Sequence, residues 1–267
     1  MKNMYFPNWI IRTIIIIPNE KVWLKVGGYM KKTVVITGGA NGIGKAISEL
    51  FASKKYNTII IDNDFIAINK VKNKHIYCYY ADISNEEQVS LVMKSIHLKF
   101  KNIDILINNA SKQTCSRFED MNFSEWKSII DTNLNGTFLC IKNSLNYMVS
   151  GSTILNIISV HYNKPRVNKY HYDASKAAVA ILTKELAIEL SEKNITINAL
   201  SFGAVNTKMN EDWINNKQIV DETLKRIPLK KIFEPKEIAS FVHNIIDVYS
   251  KYTTGSIFTI DAGRSLL

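Results

Sequence analysis

From Met30 onward the chain alternates short β-branched runs with longer amphipathic stretches. The runs fall at Thr33–Thr37, Thr58–Asp62, His75–Tyr80, Ile103–Ile107, Thr153–Ile158, Thr196–Leu200 and Ile257–Ile260. Most are apolar almost throughout rather than alternating, the pattern of strands covered on both faces. Helical patterns lie between them, the longest at Ser124–Tyr147 and Tyr170–Glu192. Strands joined by helices predict parallel pairing, because a parallel return needs a long crossover. No repeat, low-complexity tract or linker interrupts the series. The expectation is a single α/β domain over residues 30–267, a doubly wound parallel sheet of about seven strands with helices on both faces.

Residues 1–29 do not share this pattern. Their apolar stretch, Ile10–Ile17, is broken by Arg12 and stopped by Pro18. It is too short to span a membrane, and no small-residue cleavage site follows it as in a signal peptide. The expectation is an N-terminal extension, either disordered or the product of a start assigned too early, with Met30 as the natural first residue.

Composition changes the picture only in part. At 267 residues and 46% hydrophobic, the chain can bury a substantial core. Its formal net charge of +10 raises nucleic acid, membrane or acidic partners. The lysines are scattered, however, so neither nucleic acid nor membrane is expected as a partner. A composition rich in Ile, Asn, Lys and Tyr, as AT-rich coding favours, accounts for the charge; an acidic protein partner is the other reading. Cys78, Cys115 and Cys140 form no C-x-x-C pair and have no metal-type spacing, which reads as reduced thiols in a cytoplasmic protein without a metal.

Candidate chemistry begins after the first strand. Thr37-Gly38-Gly39-Ala40-Asn41-Gly42-Ile43-Gly44 opens a helix directly from a strand. Glycines at 38, 42 and 44 allow a tight turn and close backbone approach to a pyrophosphate, which the helix N-terminus then attracts. Asp62 ends the next strand, 18 positions after Gly44. That is close to the interval of about 20 expected for an acid that binds a ribose 2′-hydroxyl. Its charge would repel a 2′-phosphate, so NAD is expected over NADP.

Tyr172 and Lys176 are four apart in a helical pattern and share a face. Ser159 closes a strand 13 positions before Tyr172, at the end where α/β sheets bind ligands. Asn133 falls within the long helix before it. A tyrosine titrates near 10, so service as a base requires nearby positive charge, expected from Lys176 and a nicotinamide ring.

Together the glycine turn, Asn108-Asn109-Ala110, Asn133, Ser159 and Tyr172-Asp173-Ala174-Ser175-Lys176 resemble the ordered motifs of short-chain dehydrogenases/reductases. The resemblance runs from about Met30 to Gly263 and implies a Rossmann-type fold. It implies that Tyr172 transfers the proton, Ser159 orients the substrate oxygen, Lys176 binds the nicotinamide ribose, and Asn133 holds a water in a proton relay. It adds Asp82-Ile83 at the adenine, Asn109 and Ala110 beside the cofactor, and Gly203, Val205 and Thr207 over the nicotinamide. It also implies a homotetramer built on the two long helices. Ser111, Phe202 and Ala262 depart from the family's usual Gly, Pro and Gly.

Ser159-Val160-His161, His171 and the run Asn206–Asn210 leading to Ile227-Pro228-Leu229 resemble most the family's glucose 1-dehydrogenases and related sugar or polyol enzymes. A small-molecule alcohol or carbonyl substrate is expected, with 3-oxoacyl-(acyl-carrier-protein) reduction as the alternative within the family. A non-catalytic NAD-sensing or scaffold role is the alternative of another class. In a lid expected over Lys208–Lys231, Met209, Trp213, Ile214 and Ile227 either wall the substrate or simply pack the lid down. Asn210, Glu211 and Asp212 are candidates to meet substrate hydroxyls. His161 is either a substrate contact or a solvent-facing loop residue.

Overall fold

The computed structural model describes residues 31–267, so the expectations for residues 1–29 and for Met30 as first residue lie outside the described residues. The seven expected strands all form, as β1 (Thr33–Thr37), β2 (Asn57–Asp62), β3 (Ile76–Tyr80), β4 (Ile103–Asn108), β5 (Met148–Ile157), β6 (Thr196–Phe202) and β7 (Ile257–Ile260). They make one sheet in the order β3-β2-β1-β4-β5-β6-β7, parallel throughout. The order reverses between β1 and β4, so a crevice opens there at the carboxyl ends of the strands.

Both faces are covered. Val34 and Ile36 of β1 pack with Ile47 and Phe51 of α1 (Gly42–Ser53) and with Ile238 and Val242 of α9 (Pro235–Asp247). Val35, between them in sequence, points the other way. It joins Val92, Met93 and Ile96 of α3 (Glu86–Phe100) and Leu139 of α5 (Gly136–Ser144). A continuous apolar run thus serves two cores, each fed by alternate residues.

The helix read over Ser124–Tyr147 is broken. It forms α4 (Phe123–Ile130), a π-helical turn (Asp131–Asn135) and α5, with β5 beginning at Met148. A π-turn widens the ladder by one residue and is frequent at functional sites; here it carries Asn133. The helix read over Tyr170–Glu192 forms as α6 (Tyr170–Ser191). It is fixed to the sheet by a buried polar chain: the Asn108 amide donates to Asn156 Oδ1 at 2.8 Å, and the Asn156 amide donates to Thr183 Oγ1 at 2.9 Å. The expected lid becomes a short turn followed by α7 (Glu211–Ile214) and α8 (Lys217–Lys225). Among the described residues, no helix is long and apolar enough to cross a membrane.

Candidate active site

The carboxyl ends of β1 to β4 open onto a cavity of about 690 Å³. Gly38, Asn41 and the first turn of α1 (Gly42, Ile43, Gly44) line it. Asn41 stands at the N-cap of α1 but makes no cap with its side chain. By contrast α3 and α4 start under caps from Asn85 and Asn122. The first N–H groups of α1 and its positive dipole end are therefore left for an anion. The turn is also sterically closed to side chains. A Cβ at Gly38 would lie 2.8 Å from Ala110 Cα, and one at Gly44 only 2.0 Å from the Gly38 carbonyl oxygen. Asn109 holds this closeness, its amide donating to the carbonyls of Thr37 and Gly38 at 3.0 Å each.

Asp62 is buried at the end of β2, facing the same cavity. Its Oδ2 accepts the Ala40 N–H and its Oδ1 the Asp64 N–H, both at 3.0 Å, which pins the carboxylate in place. Asp64 lines the cavity beside it, accepts the Asn41 amide at 2.9 Å, and was not singled out by the sequence. Asp82 and Ile83 line a further wall, with Asp82 Oδ1 accepting the Ser84 hydroxyl at 2.7 Å. An uncapped helix N-terminus with a fixed acid beyond it fits a dinucleotide, the pyrophosphate at the first and a ribose diol at the second.

A second cavity of about 250 Å³ adjoins the first, and Ile43, Gln113, Phe202, Thr207 and Met209 line both. Ser159 and Tyr172 stand in it, with Gly203 and Val205 on its wall. Lys176 and Ala110 line the first cavity. The Ser159 hydroxyl accepts the His161 N–H at 3.3 Å and lies close enough to the Tyr172 phenol to favour its ionised form. The Lys176 ammonium donates to the Ile157 carbonyl at 3.0 Å and lies 5.6 Å from the centre of the Tyr172 ring.

In the protein alone the Tyr172 phenol is pushed up to about 12. Burial outweighs the Ser159 hydroxyl and the positive charge of Arg166. Lys176, itself held down to about 8 by burial, sits over the ring and binds a backbone carbonyl, so it offers the hydroxyl little. Asn133, for its part, lines neither cavity. Its amide donates to the Lys112 carbonyl and to Ser175 Oγ, at 3.0 Å each. Its Oδ1 accepts the Lys112 N–H at 2.8 Å and the Ser111 hydroxyl at 3.2 Å. Both amide hydrogens are engaged, so the side chain braces the Ser111–Lys112 segment against α6.

The lid divides between its two readings. Met209, Asn210 and Trp213 line the second cavity, whereas Ile227 is fully buried in the core. Ile214, Glu211 and Asp212 face neither cavity, and the Asn210 amide donates to the Val205 carbonyl at 2.9 Å. His161 lines the second cavity, with Nδ1 paired to the Lys164 carbonyl at 2.9 Å. A carbonyl only accepts, so Nδ1 carries the proton. Burial and the Arg166 charge hold the ring down to about 4, so it is neutral at pH 7.

The departures also find places. Ser111 adds its hydroxyl to Asn133, and Phe202 stands between the two cavities. Ala262 takes a left-handed φ of +57, which costs an alanine about 1–2 kcal/mol. Sequence reading missed Gln113, Arg166 and Arg264, all on the second cavity. No local pattern marks them: Arg166 meets Gln113 across 53 residues.

Comparison with known proteins agrees with this geometry. Residues 38–265 match the family described as enoyl-(acyl carrier protein) reductase. The chain is 30% identical to glucose 1-dehydrogenase 2 of Bacillus subtilis (strain 168) over 246 residues, 88% of this chain and 95% of that protein. It is 29% identical over 243 residues to the 3-oxoacyl-[acyl-carrier-protein] reductase of Staphylococcus epidermidis, covering 88% and 99% of the two chains. A crystal structure of a short-chain dehydrogenase/reductase from Brucella melitensis, described as a glucose/ribitol dehydrogenase, superposes with a TM-score of 0.82. It is 28% identical and covers 87% of this chain and 96% of that one. With its motifs, sheet order and relatives in agreement, the chain belongs to the short-chain dehydrogenase/reductase family of oxidoreductases.

Proposed function

We propose that the protein is an NAD-dependent dehydrogenase of a sugar, polyol or related small secondary alcohol, reducing the matching carbonyl in reverse. The observation that carries this reading is the Ser159–Tyr172 pair, buried where the substrate cavity meets the dinucleotide cavity. The similarity to glucose 1-dehydrogenase 2 supports the substrate class.

Gly38, the first turn of α1, Asp62, Asp82 and Lys176 would hold the cofactor. Bound NAD would supply the hydride acceptor and, when oxidised, a positive charge on its nicotinamide ring. Such a charge favours phenolate and opposes the burial that holds the phenol protonated. In oxidation the Tyr172 oxygen takes the carbinol O–H proton while the Ser159 hydroxyl donates to the same substrate oxygen. In reduction the protonated phenol returns that proton, the form in which the protein alone already holds it. Asn133 keeps the Ser111–Lys112 segment in place beside the cofactor cavity.

Asp62 supports NAD over NADP. A 2′-phosphate about 4 Å from a carboxylate at an effective dielectric near 20 is disfavoured by up to about 4 kcal/mol, and Asp64 adds to the repulsion. Asp62→Ala is expected to raise the NADP/NAD ratio of kcat/KM roughly 10- to 100-fold, measured with one substrate and both cofactors. An unchanged ratio would place the ribose elsewhere.

A second reading, 3-oxoacyl-(acyl-carrier-protein) reduction, draws on the Staphylococcus epidermidis relative and the net charge of +10. A panel of sugars and polyols with NAD, beside acetoacetyl thioesters with NADH and NADPH, separates the two. A non-catalytic NAD sensor has no use for Ser159 and Tyr172 together; cofactor binding without turnover on that panel would favour it. The reading includes a homotetramer in the cytoplasm. Ile181 and Ile188 on α6, 55% and 78% exposed and seven residues apart, with Phe138 on α5, offer the apolar faces for assembly. Light scattering is expected to give four chains; a monomer at micromolar concentration would remove this part.

A further inference from the structure

The chain is sparing with arginine. Of its 34 cationic residues only five are arginine, and four of these, Arg117, Arg166, Arg226 and Arg264, lie among the described residues. Arg117 is paired on the surface with Glu119 and Asp120. Arg166 and Arg264 both line the cavity that holds Ser159 and Tyr172. Arg226 stands near enough for its charge to bear on Arg264. None of these three makes an ion pair among the described residues.

Two carboxylates, Asp173 and Asp261, lie near enough for charge to act between them and these arginines, but neither forms an ion pair with them. The Asp173 carboxylate spends Oδ2 on the Arg166 backbone N–H, at 2.8 Å. Asp261 spends its two oxygens on the backbone N–H groups of Gly263 and Ser265, at 2.9 and 2.7 Å. The Arg166 guanidinium has one long bond to Gln113 Oε1, at 3.4 Å, while its buried Nε has no partner among the described residues. Lys164 adds a further cation, its ammonium held at 3.1 Å by the Arg264 carbonyl. Burial and the charges of Arg166 and Arg226 hold Arg264 below its ordinary pKa, the mark of cations crowded in a half-dry place. Such a cluster costs stability unless an anion answers it, and the guanidinium fork matches the paired oxygens of carboxylate or phosphate.

We propose that the substrate carries an oxyanion, a carboxylate or phosphate, which Arg166 and Arg264 grip while its carbinol carbon stands at Ser159 and Tyr172. This rests on the dehydrogenase reading above and narrows it to small hydroxy acids, sugar acids or sugar phosphates. The cavity of about 250 Å³ suits a compact molecule, being below the range of drug-sized sites. The arginines lie on the side of Tyr172, away from Asp62, so a 2′-phosphate of the cofactor is not their target.

The test titrates NADH-loaded enzyme by calorimetry with matched pairs: lactate against propane-1,2-diol, gluconate against sorbitol, glycerol 3-phosphate against glycerol. Oxidation of the same pairs with NAD is followed in wild type and in Tyr172→Phe. The anionic member of at least one pair is expected to bind roughly 10- to 100-fold tighter, the range of a charge-assisted hydrogen bond. That advantage should shrink toward unity in Arg264→Gln and Arg166→Gln and be partly kept in Arg264→Lys. The rank of carboxylates against phosphates identifies the group.

Equal binding within every pair, or an advantage that survives both glutamine variants, overturns the proposal. Turnover of neutral alcohols alone, lost in Tyr172→Phe, would keep the dehydrogenase and sink the anion site. Arginine-dependent anion binding with no Tyr172-dependent turnover would keep the anion site and sink the dehydrogenase.

Discussion

Tyr172→Phe is expected to lower kcat by about 10²- to 10⁴-fold in both directions, the usual contribution of a placed acid/base group. NADH affinity should stay close to wild type, because Tyr172 lines the smaller cavity while the glycine turn, Asp62, Asp82 and Lys176 line the other. Binding by fluorescence and turnover by absorbance separate the two effects. A variant that keeps its kcat would remove Tyr172 from the chemistry. The pH dependence gives the same hypothesis a second handle. Burial pushes the phenol up to about 12 in the protein alone, so it is protonated throughout the working range. Carbonyl reduction, which uses the protonated form, should therefore vary little from about pH 7 to 8. Alcohol oxidation needs phenolate and should climb with pH, up to about tenfold per unit below the phenol's value in the complex. A falling oxidation rate over that window would reverse the assignment.

Gly44→Ala is expected to be the most damaging single methyl in the molecule. Its Cβ would meet the Gly38 carbonyl oxygen at 2.0 Å and Asn109 Nδ2 at 2.6 Å, and neither belongs to a flexible chain end. Relief requires α1 to move off the turn, so the cofactor loses its helix N-terminus and the turn loses the Asn109 clamp. Overpacking of this kind costs about 1–3 kcal/mol or more, a fall in Tm of roughly 2–12 °C for a domain of this size. NAD affinity should drop at least about 100-fold, since every donor at the pyrophosphate shifts together. Gly42→Ala is the control: its φ of +52 is strained, but the nearest atom to a new Cβ, on Thr207, is 3.7 Å away. It should cost only about 1–2 kcal/mol. A Gly44→Ala protein that bound NAD like wild type would mean the turn does not carry the pyrophosphate.

Much of this was legible in the chain because it is written locally. β1 and β7 fall where the apolar runs put them, since each run is short and stands between polar or glycine residues. The glycine turn could be read because strand, turn and helix are consecutive. What escaped is whatever depends on distant partners. Asn133 looks like any residue of a long amphipathic helix; the π-turn around it appears only once Lys112 and Ser175 claim its amide. The Asn108–Asn156–Thr183 chain joins residues 48 and 27 positions apart. Helical spacing sets Lys176 on the same face as Tyr172, but not which part of the phenol ring it approaches. Ile227 looked equally suited to wall or core, and only packing decided it.

The two adjoining cavities divide the chain into parts with separate evolutionary freedom. The dinucleotide wall is drawn mainly from residues before β5, and the substrate wall almost entirely from those after it, with Ile43 and Gln113 the exceptions. Changes after Ser159 that spare Lys176 and the shared wall can therefore retune what is recognised without disturbing the redox partner, and changes around Asp62 can do the reverse. Phe202, Thr207 and Met209, on the common wall, are where the two histories are tied together.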